Sequence, residues 1–344
     1  MTSPYLTAPE DLDALLDGEP PYRARQLRDW LYRTPVLGVD LMTNLPGSLR
    51  DRIGDDLWPF VAEVEQSADS GTTRKWLFRA PDGAAIEAVL MGYPRRTTLC
   101  ISSQVGCAMG CTFCATGQFG FERHLEAGEI VAQVMYANAS LSRFPIPESP
   151  GRVTNVVYMG MGEPLANYDR VRESLRRLIE VAGMSARSIT VSTVGVVPGI
   201  RRLADEPWPV YLAVSLHAAD DETRSRLVPL NDRYPLEQVI EAAEAYFTAK
   251  GRRLSIEWVL IEGANDSDAQ ARKLAAIARR MHAHVNVIAL NPTPLSDDRP
   301  PTQDRVVRFV ALLNEEGANA TLRQMRGQEI DAACGQLRVR KAAG

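Results

Sequence analysis

Cys107, Cys111 and Cys114 stand in the run SSQVGCAMGCTFCATG, three thiols within eight residues. Thiolates are soft donors suited to iron–sulfur clusters and to zinc. Gly106, Gly110 and Gly117 let so short a loop curl around a bound group without clashes. A four-iron cluster takes four ligands and this loop supplies three, so one iron is left open for a reactive ligand. Zinc, with Cys100 or a histidine as fourth ligand, is the alternative. Zinc sites usually use two CxxC-type pairs separated by a spacer, and the three-then-two spacing of a single loop matches that poorly.

The other two cysteines are Cys100, seven residues before the loop, and Cys334, near the end. Five cysteines, an odd number, in 344 residues without a secretory leader argue against a disulfide framework. The first residues, MTSPYLTAPEDLDALLDGE, have neither a basic start nor an apolar core. No apolar run approaches the roughly 18 residues of a membrane helix, so a cytoplasmic protein with no membrane partner is expected. A net charge of −4 gives no global sign of a nucleic-acid partner. Local candidates are Arg95 and Arg96, the stretch around Arg323 and Arg326, and the tail Arg338, Arg340 and Lys341. On charge alone each reads as a solvated face.

The first sixty residues read as helical. Ala24, Leu27, Trp30 and Leu31 share one face of YRARQLRDWLYR, and Asn44 to Arg52 suits a further helix. Strands are expected over Thr73 to Arg79 and Ala85 to Met91, with Pro81-Asp82-Gly83 as the hairpin turn. From Thr97 strands and helices alternate. Strands are expected at 97–102, 155–158, 188–193, 210–216, 254–261 and 284–290, with a last one at 320–323. Helices are expected at 126–142, 168–181, after Pro198, and at 236–249, 267–282 and 303–316. Six or so strand–helix units imply a parallel sheet, too few for a full eight-unit barrel of about 250 residues. The expectation is an α/β protein built as a partial, open (β/α)6-type barrel. A helical N-terminal accessory domain (1–60) and a linking β-hairpin (61–92) precede the core (93–333), and a C-terminal segment (334–344) follows it. In such sheets the sites form at the C-terminal ends of the strands.

The spacing Cys107-x3-Cys111-x2-Cys114, with Phe113 before the last cysteine, resembles the signature of radical S-adenosylmethionine (SAM) enzymes. The resemblance implies a [4Fe–4S] cluster whose open iron takes the amino and carboxylate groups of SAM. The cofactor carries the hard chemistry while the protein positions it. Gly160, Gly162, Glu163 and Pro164, in VVYMGMGEPLANYD, resemble the superfamily's GGEP-type motif, which meets the SAM amino group. Ser192, the trio Ser215, Leu216 and His217, and Asn291 close later strands, and the resemblance implies SAM contacts for them too. Read alone, they are strand-end hydroxyls and a satisfied buried histidine.

Together with VSTVGVVP, VSLHA and DAACGQL, these runs resemble the RlmN/Cfr group of RNA adenine methyltransferases over essentially the whole chain. Val194 stands where that pattern often has a small polar residue. The resemblance implies methylation of C2 of an adenine in 23S rRNA, and in tRNA, closest to the RlmN type. C8 methylation of the Cfr type, or another radical SAM activity, is the alternative. A structural or electron-carrying centre would have no use for Cys100 and Cys334. The resemblance implies that Cys334 accepts a methyl group and becomes transiently crosslinked to RNA. It makes Cys100 the thiol that resolves the crosslink as a disulfide, and Glu87 the proton acceptor. Two SAM molecules per methylation, an electron donor such as flavodoxin or ferredoxin, and a monomer are also expected. The target base would be extruded into the barrel mouth.

Overall fold

The computed structural model describes residues 2–16, 18–293, 295–324, 326–333 and 335–337. Cys334 and the tail residues Arg338, Arg340 and Lys341 lie outside the described residues. The helical opening contains α1 (Tyr22–Tyr32) and α2 (Gly47–Ile53), joined by short 3-10 turns. Leu27 and Leu31 of α1 and Leu49 and Ile53 of α2 are buried, as their helical spacing requires.

Three antiparallel strands follow, β1 (Val61–Ala68), β2 (Thr73–Arg79) and β3 (Ala85–Tyr93). The expected hairpin is therefore the inner pair of a larger unit. That unit is not a free linker: β3 pairs antiparallel with β4 (Arg96–Cys100), the first strand of the core. β5 (Gln104–Gly106) and β6 (Phe121–His124) form a small ribbon that brackets the cysteine loop and the short α3 (Ala115–Gln118). Then come α4 (Ala127–Arg143), β7 (Asn155–Tyr158), α5 (Tyr168–Arg176), β8 (Ile189–Thr193), α6 (Val197–Asp205), β9 (Tyr211–Ser215) and α7 (Asp221–Leu227). The chain continues through α8 (Leu236–Lys250), β10 (Leu254–Leu260), α9 (Asp268–Arg280), β11 (Ala283–Ala289), α10 (Gln303–Glu315) and β12 (Asn319–Leu322).

Among the described residues the main sheet has ten strands in the order β1-β2-β3-β4-β7-β8-β9-β10-β11-β12. From β4 onward every pairing is parallel. Because β1 and β12 lie at opposite ends of that order, the barrel is open, as the count of units anticipated. The helices earn their places by local signals. Ser267 caps α9 by accepting the Gln270 N–H, Asp220 caps α7 through the Thr223 N–H, and Gly251 closes α8 in the left-handed region at φ 59°.

The larger of two buried hydrophobic clusters among the described residues runs from Tyr5 to Leu337. Its aromatic part joins the helical opening to the barrel. Tyr5 stacks on Trp58 at 5.0 Å, and Trp58 meets Tyr136 of α4 edge-on at 5.2 Å. No described helix is long and apolar enough to cross a membrane.

Candidate active site

The C-terminal ends of the parallel strands surround a cleft of about 960 Å³, counted out to its open mouth. Cys107, Cys111 and Cys114 line one side of it. The loop that carries them is pinned at several points. The Cys107 N–H donates to Gly120 O at 2.8 Å, the Thr112 N–H to Leu227 O at 3.1 Å, and the Cys114 N–H to Cys111 O at 3.2 Å. Burial pushes the Cys107 thiol up to about 12 and the Cys111 thiol well above its ordinary value, so a metal would have to displace their protons to bind. Among the described residues, no three Cys, His, Asp or Glu side chains converge on one point as a single metal ion demands. Three soft thiol donors lining one cavity suit an iron–sulfur cluster with one iron left open.

Beside the thiols, the chain leaving β7 runs through Gly160 to Pro164. Gly162 has φ +100°, and a Cβ there would fall 2.5 Å from Gln104 Cβ. Only glycine lets this turn lie so close to β5. Gln104 Oε1 in turn accepts the Glu163 N–H at 2.8 Å. The Glu163 carboxylate is buried and accepts the Leu165 N–H and the Val194 N–H, each at 2.9 Å. Burial raises Glu163 to about 7, against the pull of those hydrogen bonds and of Thr193.

Ser192 and Ser215 meet at 3.4 Å between their hydroxyls where β8 and β9 end. His217 sits in the left-handed region at φ 60° and accepts the Val259 N–H on Nδ1 at 3.0 Å. Its ring is therefore neutral, with the proton on Nε2, and burial holds it down to about 3. The Phe113 ring packs edge-on against it at 4.6 Å, which couples the cysteine loop to β9. Leu216 is different: its side chain lies in the main core, and it does not line the cleft. Its N–H donates to Glu257 O and its carbonyl accepts from Arg224. Asn291 reaches the cleft from beyond β11.

Cys100, the last residue of β4, lines an adjoining cavity of about 560 Å³ with Asn291, Arg323 and Ala333. Asn291 and Arg323 belong to both walls, so the two spaces abut. The chain just beyond position 334 is fastened near the cysteine loop. Ala115 N–H donates to Gly335 O at 2.8 Å, and Thr116 Oγ1 donates to Leu337 O at 2.7 Å. Glu87 lines neither space. It is buried on the face of β3 that carries Val89 and Met91, both of which line the Cys100 cavity. Lys75 Nζ lies 3.2 Å from its carboxylate and also donates to Asp331 O at 3.4 Å.

Some site residues escape a reading of the sequence alone. Glu257 is a buried acid in mid-strand, and its Oε1 accepts from Ser255 and Asn286 at 2.9 Å each. Its other oxygen lies 3.7 Å from Arg323. An acid inside an apolar strand was the available signal. Arg323 and Arg326 are not the solvated face that their charge suggested. Arg323 lines the cleft, and Arg326 donates to Gly92 O and Thr72 Oγ1 with its guanidinium over the Tyr93 ring.

Residues 101–275 match the model of the Radical SAM superfamily, and residues 12–57 match that of the "Ribosomal RNA large subunit methyltransferase N-terminal domain". A Saccharopolyspora erythraea protein named "Probable dual-specificity RNA methyltransferase RlmN" is 49% identical over 93% of this chain and 89% of its own length. A Chloroflexus aurantiacus protein of the same name is 48% identical over 93% of this chain and 88% of its own length. The crystal structure of a radical SAM methyltransferase from Sphaerobacter thermophilus superposes with a TM-score of 0.92 at 48% identity, covering 98% of this chain and 99% of that one. Likeness of this extent, through the helical opening as well as the barrel, settles the kinship: the chain belongs to the RlmN family of the radical SAM superfamily.

Proposed function

We propose that this radical SAM methyltransferase methylates C2 of an adenine in 23S rRNA and in tRNA, by way of a methylated Cys334 and a transient protein–RNA crosslink. One observation carries the reading. The backbone just beyond position 334, at Gly335 and Leu337, is bonded to the helix that follows the cysteine loop, and Ala333, just before it, lines the cavity that holds Cys100. A centre that only carried electrons would have no use for that arrangement.

Cys107, Cys111 and Cys114 would hold one [4Fe–4S] cluster per chain. Glu163, the bare backbone at Gly162, Ser192, Ser215, His217 and Asn291 would hold SAM. When bound, these groups supply a methyl group and, after one-electron reduction by a donor such as flavodoxin or ferredoxin, the means to abstract a hydrogen atom, with two SAM consumed per methylation. Glu163 offers a carboxylate to the cofactor's ammonium. Neutral His217 offers its Nε2 proton. The apolar wall of Val259, Ile288 and Leu290 keeps water from the reacting atoms.

Adenine C2 is electron-poor and cannot attack a methyl cation. The Cys334 thiolate can; the carbon it gains, once a hydrogen atom has been abstracted from it, bonds to C2, and the unpaired electron left on the adduct would return to the cluster as the C2 proton leaves. Glu87 takes the C2 proton, with the Lys75 ammonium as its counter-charge. The Cys100 thiolate then attacks the Cys334 sulfur. An S–S bond forms, the C–S bond breaks, and its electron pair goes to the methylene carbon, which takes a proton to become the methyl group. The protein acts as a monomer, with residues 1–60 docking folded RNA by shape.

The test is reconstitution with iron and sulfide, then turnover with SAM and either rRNA or tRNA transcript, reading nucleosides by mass spectrometry. 2-Methyladenine is expected from both RNAs. 8-Methyladenine would move the assignment to C8, and absence of any methylated adenine would sink it. Cys334→Ala should give no methylated protein. Glu87→Gln should slow release of the crosslinked species, and release at the normal rate would remove Glu87 from the scheme.

A further inference from the structure

Arg224, on α7, is 0% exposed. A guanidinium so deeply buried ordinarily faces a carboxylate, because an unpaired charge is costly away from water. Among the described residues none forms an ion pair with it. Its donors go to neutral oxygens: Nε to Leu216 O at 3.2 Å, Nη1 to Asn231 Oδ1 at 2.8 Å and Nη2 to Val194 O at 2.5 Å. Asp221, one turn earlier on the same helix, has its Oδ1 occupied by the Asn231 amide and the Leu236 N–H.

The surroundings say where the missing negative charge belongs. Val194 and Leu216 follow Ser192 and Ser215, so the guanidinium ties together two strand ends of the cleft. The last residue of α7, Leu227, accepts the Thr112 N–H of the cysteine loop, and Leu227 and Val228 pack with Cys111 and Phe113. Burial pulls Arg224 down to about 10, and a charge on Cys111, which that residue carries only as a thiolate, is the first influence that would hold it up, ahead of Asp221. The guanidinium is thus charged at neutral pH and felt by a cysteine of the loop.

We propose that Arg224 is the built-in counter-ion of the iron–sulfur cluster, a positioning residue that raises the cluster's reduction potential. The proposal rests on the reading that Cys107, Cys111 and Cys114 hold that cluster. A cluster on three thiolates becomes more negative when it takes up an electron. A fixed positive charge in a low-dielectric site stabilises the reduced form more than the oxidised one. The same side chain fixes the carbonyls of Val194 and Leu216, and so keeps the cofactor-facing strand ends in register with the loop.

The experiment compares the reconstituted wild-type protein with three variants, by iron and sulfide content and by redox titration of the cluster's paramagnetic signal. Arg224→Gln removes the charge and keeps a donor. At a fixed potential its reduced-to-oxidised ratio should fall about tenfold, equivalent to about 59 mV for one electron. Arg224→Lys keeps the charge and should hold the ratio within about threefold of wild type, although it loses the three-way hydrogen bonding. The exchange of Asp221→Asn with Asn231→Asp keeps the net charge and moves a carboxylate against the guanidinium. It should also lower the ratio, and it serves if Arg224→Gln does not fold. Clusters loaded to wild-type content with an unmoved midpoint in every charge-altering variant that folds would overturn the proposal alone. A wild-type protein that takes up neither iron nor sulfide would overturn the cluster reading, and this proposal with it.

Discussion

The Lys75 ammonium and the Glu87 carboxylate form a buried ion pair at 3.2 Å, with 9% and 6% of their side chains exposed. They stand on adjacent antiparallel strands, and Lys75 also reaches the carbonyl of Asp331, close to the C-terminal segment. Breaking a buried pair from one side leaves an uncompensated charge and costs roughly 3–5 kcal/mol. Lys75→Met should destabilise the protein by about that much, and Lys75→Met with Glu87→Leu should recover most of the loss. Urea unfolding of the four proteins in a double-mutant cycle measures it. A double-variant cost equal to the sum of the two single costs would mean that the pair is not coupled.

His217 gives a pH signature. Burial, helped by the Arg224 charge, holds its ring at about 3 in the folded protein, against 6.5 ordinarily. Between those values the unfolded chain binds more protons here than the folded one, so stability is complete above pH 6.5 and is lost as pH falls toward 3. The effect is at most roughly 5 kcal/mol. His217→Asn keeps an acceptor for the Val259 N–H and cannot titrate. Its stability curve, followed by thermal unfolding of the cluster-free protein from pH 7 to pH 4, should fall less steeply than that of the wild type.

Two glycines with positive φ should respond in opposite degrees. At Gly162 an added Cβ meets Gln104 at 2.5 Å, whereas at Gly120, with φ +83°, nothing lies within 4 Å. Gly120→Ala should cost about 1 kcal/mol, the penalty of its backbone conformation. Gly162→Ala adds a steric clash and should cost roughly 3 kcal/mol or more while weakening SAM binding. Equal losses in a denaturant series would refute the close-approach argument.

Thr116 ties the C-terminal segment to α3 through Leu337 O. Thr116→Val removes the donor and keeps the shape, at a cost of about 1 kcal/mol. The Ala115 amide, bonded to Gly335 O, should then exchange its hydrogen about fivefold faster, while amides of β10 stay unchanged. Exchange read by mass spectrometry decides the matter, and an unaltered Ala115 rate would mean that the segment does not depend on Thr116.

Much of the fold was legible because its signals are local. The strands Thr73–Arg79 and Asn155–Tyr158 end where composition and turn residues said they would. The polar strand ends Glu163, Ser192, Ser215 and His217 do converge on one cleft, because parallel strands deliver their C-terminal ends to the same side. What escaped was long-range. β1 is an edge strand with six exposed positions, so it carries no alternating pattern to find. α7 announces itself only by Asp220-Asp-Glu, a start signal too short to weigh on its own. Arg224 looks in sequence like any surface arginine, because burial of a charge depends on elements that arrive from elsewhere in the chain. Arg323 deceived for the same reason: its counter-charge, Glu257, lies two strands away in the sheet order.

β4 is the seam of the sheet, antiparallel to β3 on one side and parallel to β7 on the other. Five consecutive partners, from Val89 opposite Cys100 to Tyr93 opposite Arg96, bond it to β3. A thiol at the end of such a strand has no journey to make. Cys100 is a stationary terminus, so in the scheme we propose its partner is the one that travels. The timetable of catalysis would then be set by the C-terminal segment, whose described residues 326–333 and 335–337 belong to no strand of the sheet.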